Sequence, residues 1–222
     1  MSWVLQILFS VLALLLCVIP HEVAHGWVAL WLGDPTAKRA GRLSLNPLRH
    51  LDPIGSVLLP LGLILLRRLT GVPLLVFGWA KPVPINPYYF RDPWKGMVWV
   101  GLAGPATNIA LAALAAGLAR LLLLLGFRNT WVFMFLAVYV VISLLIAFFN
   151  LIPLPPLDGS RILAYFLPLR WKLQLMRLEQ FGIIVVVVLL ALGVLDVVFR
   201  GAEAVAVRLL GVDVARLSRL WW

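Results

Sequence analysis

The chain has 222 residues, of which 63% are hydrophobic and 13% charged, with a mean hydropathy of +1.03. These values exclude an ordinary soluble domain, because the apolar residues fall in long blocks that leave no room for a polar surface. The net charge of +10 does not imply nucleic acid: Lys and Arg sit in short clusters between apolar blocks, with no basic stripe, as juxtamembrane topology charges do.

The first apolar segment runs over roughly residues 3 to 33 and stops at Leu32-Gly33, before Asp34-Pro35. As one helix it is about 46 Å long, more than a bilayer core needs. Its start lacks the basic region and small-residue cleavage site of a signal peptide and continues into His21-Glu22, so it is read as retained helix. Cys17, the single cysteine, reads as a small buried apolar residue.

Residues 36 to 53 hold Lys38, Arg39, Arg42 and Arg49, the turn pairs Asn46-Pro47 and Asp52-Pro53, and an Arg42-Leu43-Ser44-Leu45 alternation. They predict an interfacial loop with room for a small hairpin. Residues 54 to 66 and 71 to 79 are apolar but short, divided by Arg67-Arg68 and broken by Pro60 and Pro73, which predicts a re-entrant element or paired short helices. A stretch rich in proline and aromatics follows, from Lys81 to Lys95.

The blocks 97 to 125, 131 to 152 and 182 to 199 are each long enough to span. Beyond them, Arg208, Asp213, Arg216 and Arg219 recur at helical spacing before Trp221-Trp222, the pattern of an interfacial amphipathic helix. The expected architecture is all-α and polytopic: one membrane domain over 1–200, with a three-helix core, a re-entrant or short-helix element and a further C-terminal span, then an amphipathic helix over 201–222.

Chemistry begins at His21-Glu22-Val23-Ala24-His25, an H-E-x-x-H pentad. A spacing of four puts both imidazoles on one helix face, where they can bind one Zn²⁺, and sets the glutamate beside the metal's open position. That carboxylate can take a proton from the attacking water, whose pKa the metal lowers toward about 7, and later deliver it to the leaving amine. Two of the three histidines and one of the three glutamates fall in this pentad, inside an apolar helix where a carboxylate is expensive to bury. The bland reading is a histidine bonding across helices.

A catalytic zinc needs a third protein ligand, and spacing leaves Asp34, His50, Asp52, Asp92, Asp158 and Glu179 all open. The stretch Asn150-Leu151-Ile152-Pro153-Leu154-Pro155-Pro156-Leu157-Asp158-Gly159 resembles the N-x-x-P-x-P-x-L-D-G motif of site-two proteases, intramembrane zinc metalloproteases. Further matches are His25-Gly26, Asn46-Pro47 through His50-Leu51-Asp52-Pro53, Gly78 to Pro84, and Gly104-Pro105-Ala106-Thr107-Asn108. The resemblance covers about residues 15 to 165 and is to the compact bacterial and archaeal branch without a PDZ insertion. It implies Asp158 as third ligand, one zinc per chain, and Asn150 as a holder of substrate or oxyanion.

Pro20 departs from helical expectation, since it removes a hydrogen bond to Leu16 one residue before His21. Pro153, Pro155 and Pro156 rule out a regular helix leading to Asp158, so this backbone must be satisfied by protein or by a wet cavity. A plainer role for Asp158 is the N-cap of a following helix. Asn150 and Asn108 could equally bond between helices, and His50 could orient a loop or do nothing.

The function these residues imply is hydrolysis of peptide bonds in or near transmembrane segments of a membrane-protein substrate, within the lipid bilayer and with no nucleic-acid partner. Alternatives are a non-catalytic zinc-binding homologue, which would not need Glu22, and a small transporter, which would not need both motifs. For His21, His25 and Asp158 to meet, the first helix and the 131 to 152 helix must cross in the same direction, with 97 to 125 antiparallel. The loops 34 to 53 and 80 to 96 and the 158 to 181 connection then share a face bearing eleven Lys and Arg, against eight or fewer opposite. By the positive-inside rule that face is cytoplasmic, which places the zinc in a cell membrane nearer the cytoplasm.

Overall fold

The computed structural model describes residues 3–52 and 81–211, with isolated positions between them at Gly55, Leu58, Gly62, Leu65, Leu66 and Leu69. The re-entrant element expected over 54–79 and the chain from 212 to 222 lie outside the described residues. Eight α-helices are described: α1 Trp3–Trp31, α2 Thr36–Arg39, α3 Pro93–Leu124, α4 Thr130–Asn150, α5 Asp158–Phe166, α6 Leu169–Leu178, α7 Gly182–Ala191 and α8 Asp196–Leu210. No strand occurs among the described residues. The protein is an all-α polytopic membrane protein, and among the described residues α1, α3 and α4 are each long and apolar enough to cross a membrane.

The starts of α3 and α4 follow from local chemistry. Asp92 accepts from the backbone N–H groups of Trp94 and Lys95, and Pro93 takes the first helical position, where its missing donor costs nothing. Asn129 caps α4 in the same way through Trp131 and Val132. Inside α1, Pro20 leaves the Leu16 carbonyl without its helical donor, and the Tyr139 hydroxyl of α4 donates to that oxygen at 3.5 Å. The helix therefore continues through the proline.

Three contacts set the register of the bundle. Phe9 packs edge-on against Trp131 and Phe135, and Leu16 and Cys17 meet Tyr139, so α1 and α4 run parallel. Residues 21 and 25 of α1 meet residues 104 and 100 of α3, so that pair is antiparallel. Both directions agree with the crossing pattern expected from the sequence. Ala112, Ala115, Ala116 and Ala119 of α3 bury against Leu136, Val140 and Leu144 of α4 and Ala202 and Ala206 of α8. Small residues at this seam let the backbones approach closely, which is how helices associate where lipid supplies no hydrophobic drive.

Two expectations change. The apolar block 182 to 199 is not one straight span: α7 covers ten residues, about 15 Å, and the chain turns at Gly193, whose φ of 68° is left-handed, before α8 begins. Leu169–Phe181 and Ile184–Leu190 meet at 76°, a bend that suits a broken span or a re-entrant loop. The hairpin is also absent among the described residues. Thr36–Arg39 is a helical turn and Pro47–Arg49 a 3-10 turn capped by Asn46, while Arg42 points inward, donating to the Lys81 and Pro82 carbonyls. An inward arginine spoils the alternation that a two-stranded ribbon needs.

Candidate metal centre

His21 and His25 leave α1 one turn apart, and their rings stand edge to face with centroids 4.6 Å apart. Asp158 comes from the first turn of α5, delivered by the proline-rich segment after α4. Its Oδ2 lies 3.2 Å from Nε2 of His21 and 3.1 Å from Nε2 of His25. All three side chains are buried, with exposures of 4%, 4% and 6%. Among the described residues these are the three whose ligand atoms converge, within 4.8 Å of one another.

The donor set fits a zinc ion. Ligands held about 2.0–2.1 Å from a tetrahedral zinc stand roughly 3.3 Å apart, close to the observed Nε2 to Oδ2 separations. Asp158 Oδ2 has no hydrogen-bond partner although two nitrogens surround it, so its approach is in distance and not in hydrogen-bonding direction. Three acceptor-type atoms facing one point suit a cation. Burial raises the Asp158 carboxyl, and the Arg161 guanidinium on Oδ1 opposes it, favouring the ionised form that a ligand needs.

The surrounding groups orient the candidate ligands. Nδ1 of His25 lies 2.6 Å from the Val100 carbonyl oxygen; a carbonyl can only accept, so the proton is on Nδ1 and Nε2 offers its lone pair inward. Arg161 donates to Asp158 Oδ1 at 3.1 Å, leaving Oδ2 to face the histidines. Gly104 of α3 makes the close approach possible: a Cβ there would lie 2.5 Å from Cε1 and Nε2 of His21 and from Nε2 of His25. Gly101, one turn earlier, gives similar access to the Asp158 backbone, 3.0 Å from where its own Cβ would be.

Glu22 is half-buried, and its Oε2 accepts from the Val83 backbone N–H at 3.0 Å. The extended segment 81–86 carries that donor and is pinned on both sides. Lys81 N–H donates to the His50 carbonyl, Arg42 holds the Lys81 and Pro82 carbonyls, and Asn86 N–H donates to the buried Asp34 carboxylate. Sequence reasoning did not single out Arg42 or Val83. The signal was present in Pro82-Val83-Pro84, where only Val83 can donate a backbone hydrogen bond.

The other candidates lie elsewhere. Asp34 closes the turn at Thr36, Asp52 accepts from Gly55 N–H, Asp92 caps α3, and Glu179 opens an exposed 3-10 turn. His50 is buried and its Nε2 pairs with the Ser44 carbonyl, so it ties a loop together instead of sitting inert at the interface. Asp158 does not cap α5: Leu157 occupies that position. Asn150 is not drawn into the cluster, since its amide donates to the Ile146 carbonyl of its own helix at 2.9 Å.

Comparison with known proteins bears on this cluster. The model of peptidase family M50 matches residues 125–193, which include Asn150 to Gly159. The chain is 37% identical over 186 residues to "Putative zinc metalloprotease YwhC" of Bacillus subtilis, covering 82% of this chain and 79% of that protein. It is 31% identical over 173 residues to the similarly named Rip2 of Mycolicibacterium smegmatis and 29% over 169 to Rip2 of Mycobacterium tuberculosis strain H37Rv, spanning 77% and 76% of this chain but 61% of each relative. No solved structure matches. With most of its length aligned to a relative of this identity, and a buried two-histidine, one-aspartate cluster at its centre, the chain belongs to peptidase family M50, the site-two protease family of zinc metalloproteases.

Proposed function

We propose that this protein hydrolyses peptide bonds in or near transmembrane segments of other membrane proteins, holding one zinc ion with His21, His25 and Asp158. The observation that carries the reading is the convergence of those three buried side chains on the N-terminal side of Gly26, with Glu22 between the two histidines in sequence. When bound, zinc polarises the scissile carbonyl and lowers the pKa of a water toward about 7.

The chain's own groups do the rest. Glu22 takes the proton from the attacking water and delivers it to the departing amine; Oε2 is occupied by the Val83 N–H, so Oε1 is the free oxygen for that shuttle. His25 is oriented by Val100 and Asp158 by Arg161, which keeps the ligand atoms in place without rearrangement during turnover. Asn150 gives one side-chain N–H to the Ile146 carbonyl and keeps a second N–H that serves the oxyanion on this reading. Burial of the cluster within helices requires water to reach it by a wet path beside the broken 151–157 segment, whose backbone is not helical.

The decisive experiment incubates the purified protein in detergent with single-pass membrane substrates, with and without a zinc chelator. Chelator-sensitive cleavage inside or next to the substrate's apolar segment is the expected result. Cleavage that persists after zinc removal, or cuts confined to soluble domains, would overturn the reading.

A further inference from the structure

His25 has an acceptor for its outward ring nitrogen, and His21 has none: Nδ1 of His21 is buried and unpartnered. A neutral histidine that gives Nε2 to a metal carries its proton on Nδ1, and a buried N–H without an acceptor is destabilising. One turn away lies the complementary defect. Asn108 is fully buried at 0% exposure, and both its side-chain oxygen and nitrogen lack partners.

Register brings the two together. Along the antiparallel pair, residue 25 meets Val100 and residue 21 meets Gly104, so the next turn of α3, at Asn108, lies beside the α1 turn between His21 and Cys17. A second helix fixes that level independently: Ser143 of α4 donates to the Asn108 backbone carbonyl at 2.9 Å, and one turn earlier Tyr139 of the same helix meets Leu16 and Cys17. The edge of His21 that packs on Gly104 is Cε1–Nε2, and the orphan Nδ1 is the ring atom next to that edge, bonded to Cε1.

We propose that the side-chain carbonyl of Asn108 accepts the Nδ1–H of His21, by a change of rotamer or through one shared water, and so commits Nε2 of His21 to the metal. Asn108 is thereby a positioning residue. Val100 and Asn108, four residues before and after Gly104, then serve the two histidines in the same manner. The inference rests on the reading of His21 as a metal ligand.

The test uses metal-free protein in detergent, labelled with ¹⁵N-histidine; with only three histidines, His21 is assigned by comparison with His50→Gln and His25→Gln. Wild-type His21 is expected in the Nδ1–H tautomer. Asn108→Leu should lose that preference and weaken zinc binding, measured by competition with a chromophoric chelator, by about 10- to 100-fold. Asn108→Asp keeps an oxygen acceptor and should hold zinc within a few-fold of wild type.

A wild-type His21 in the Nε2–H form, or an Asn108→Leu zinc affinity within about twofold of wild type, would overturn the proposal. If Asn108→Leu does not fold, the wild-type tautomer and Asn108→Ser decide in its place. His21→Ala separates the two levels of the argument: tight zinc in that variant sinks the metal site itself, while zinc lost in His21→Ala but kept in Asn108→Leu sinks only the role of Asn108.

Discussion

Glu22 and Asp158 carry charges that an apolar helix bundle tolerates only with partners, and each has one oxygen committed and one free. For Glu22 the committed oxygen faces Val83, and the proposed mechanism uses the other as the base. Glu22→Gln keeps the shape and the Val83 contact but cannot accept a proton, so zinc content should stay at the wild-type level while turnover falls by about 10²–10⁴-fold. Comparable cleavage by the two proteins would remove Glu22 from the chemistry. Asp158→Ala leaves two histidines for a metal that takes three protein ligands, and Arg161 loses its carboxylate. Bound zinc, read by metal analysis after dialysis, should drop together with activity. The pentad was legible because four-residue spacing alone stacks two imidazoles. Asp158 was legible only through the likeness of Asn150 to Gly159 to the family motif, since spacing alone left six acidic or histidine candidates open.

The α1–α3 crossing depends on one missing methyl group. At Gly104 a Cβ would lie 2.5 Å from both candidate ligand nitrogens, whereas at Gly117 of the same helix nothing lies within 4 Å. Gly104→Ala should therefore force the histidines or the helices apart at a cost of about 1–3 kcal/mol and weaken zinc binding. Gly117→Ala meets no clash and should be neutral or stabilising by about 0.5–1 kcal/mol, as alanine is in a helix interior. Equal zinc affinity in the two variants would show that the close approach is not needed. The substrate is an element too. A helical segment has its scissile carbonyl hydrogen-bonded and shielded by side chains, so cleavage needs unwinding first. Substrates with Gly, Pro or Asn near the cut should be cleaved faster than those with Leu or Ala runs, and equal rates at matched binding would count against cleavage of an unwound stretch.

At the scale of the whole molecule, α1 and α4 run parallel and α3 opposes them, so the C-terminal end of α1, the N-terminal end of α3 and the start of α5 lie on one side. That side carries the larger share of Lys and Arg, and on the positive-inside rule we propose it as the cytoplasmic side. Single cysteines in a background with Cys17 replaced test the assignment. Tyr88 is 93% exposed beside the start of α3, and Phe127 is 42% exposed in the turn between α3 and α4. A cysteine at 88 should react with an impermeant probe only from the cytoplasm and one at 127 only from outside. The reverse pattern would invert the protein and put the zinc site near the other face.

The amino-acid sequence by itself determined the class of molecule, the three long helices, and the pair His21 and His25, because these depend on hydropathy and spacing within a few turns of chain. Tertiary structure decided what depends on contacts across more than a hundred residues. It brought the Asp158 carboxylate to within 3.2 Å of both histidines, turned Arg42 inward where alternation suggested a hairpin, and answered Pro20 with the Tyr139 hydroxyl. It also broke the 182 to 199 block at Gly193, where a left-handed backbone outweighs an apolar run that would otherwise favour one continuous helix.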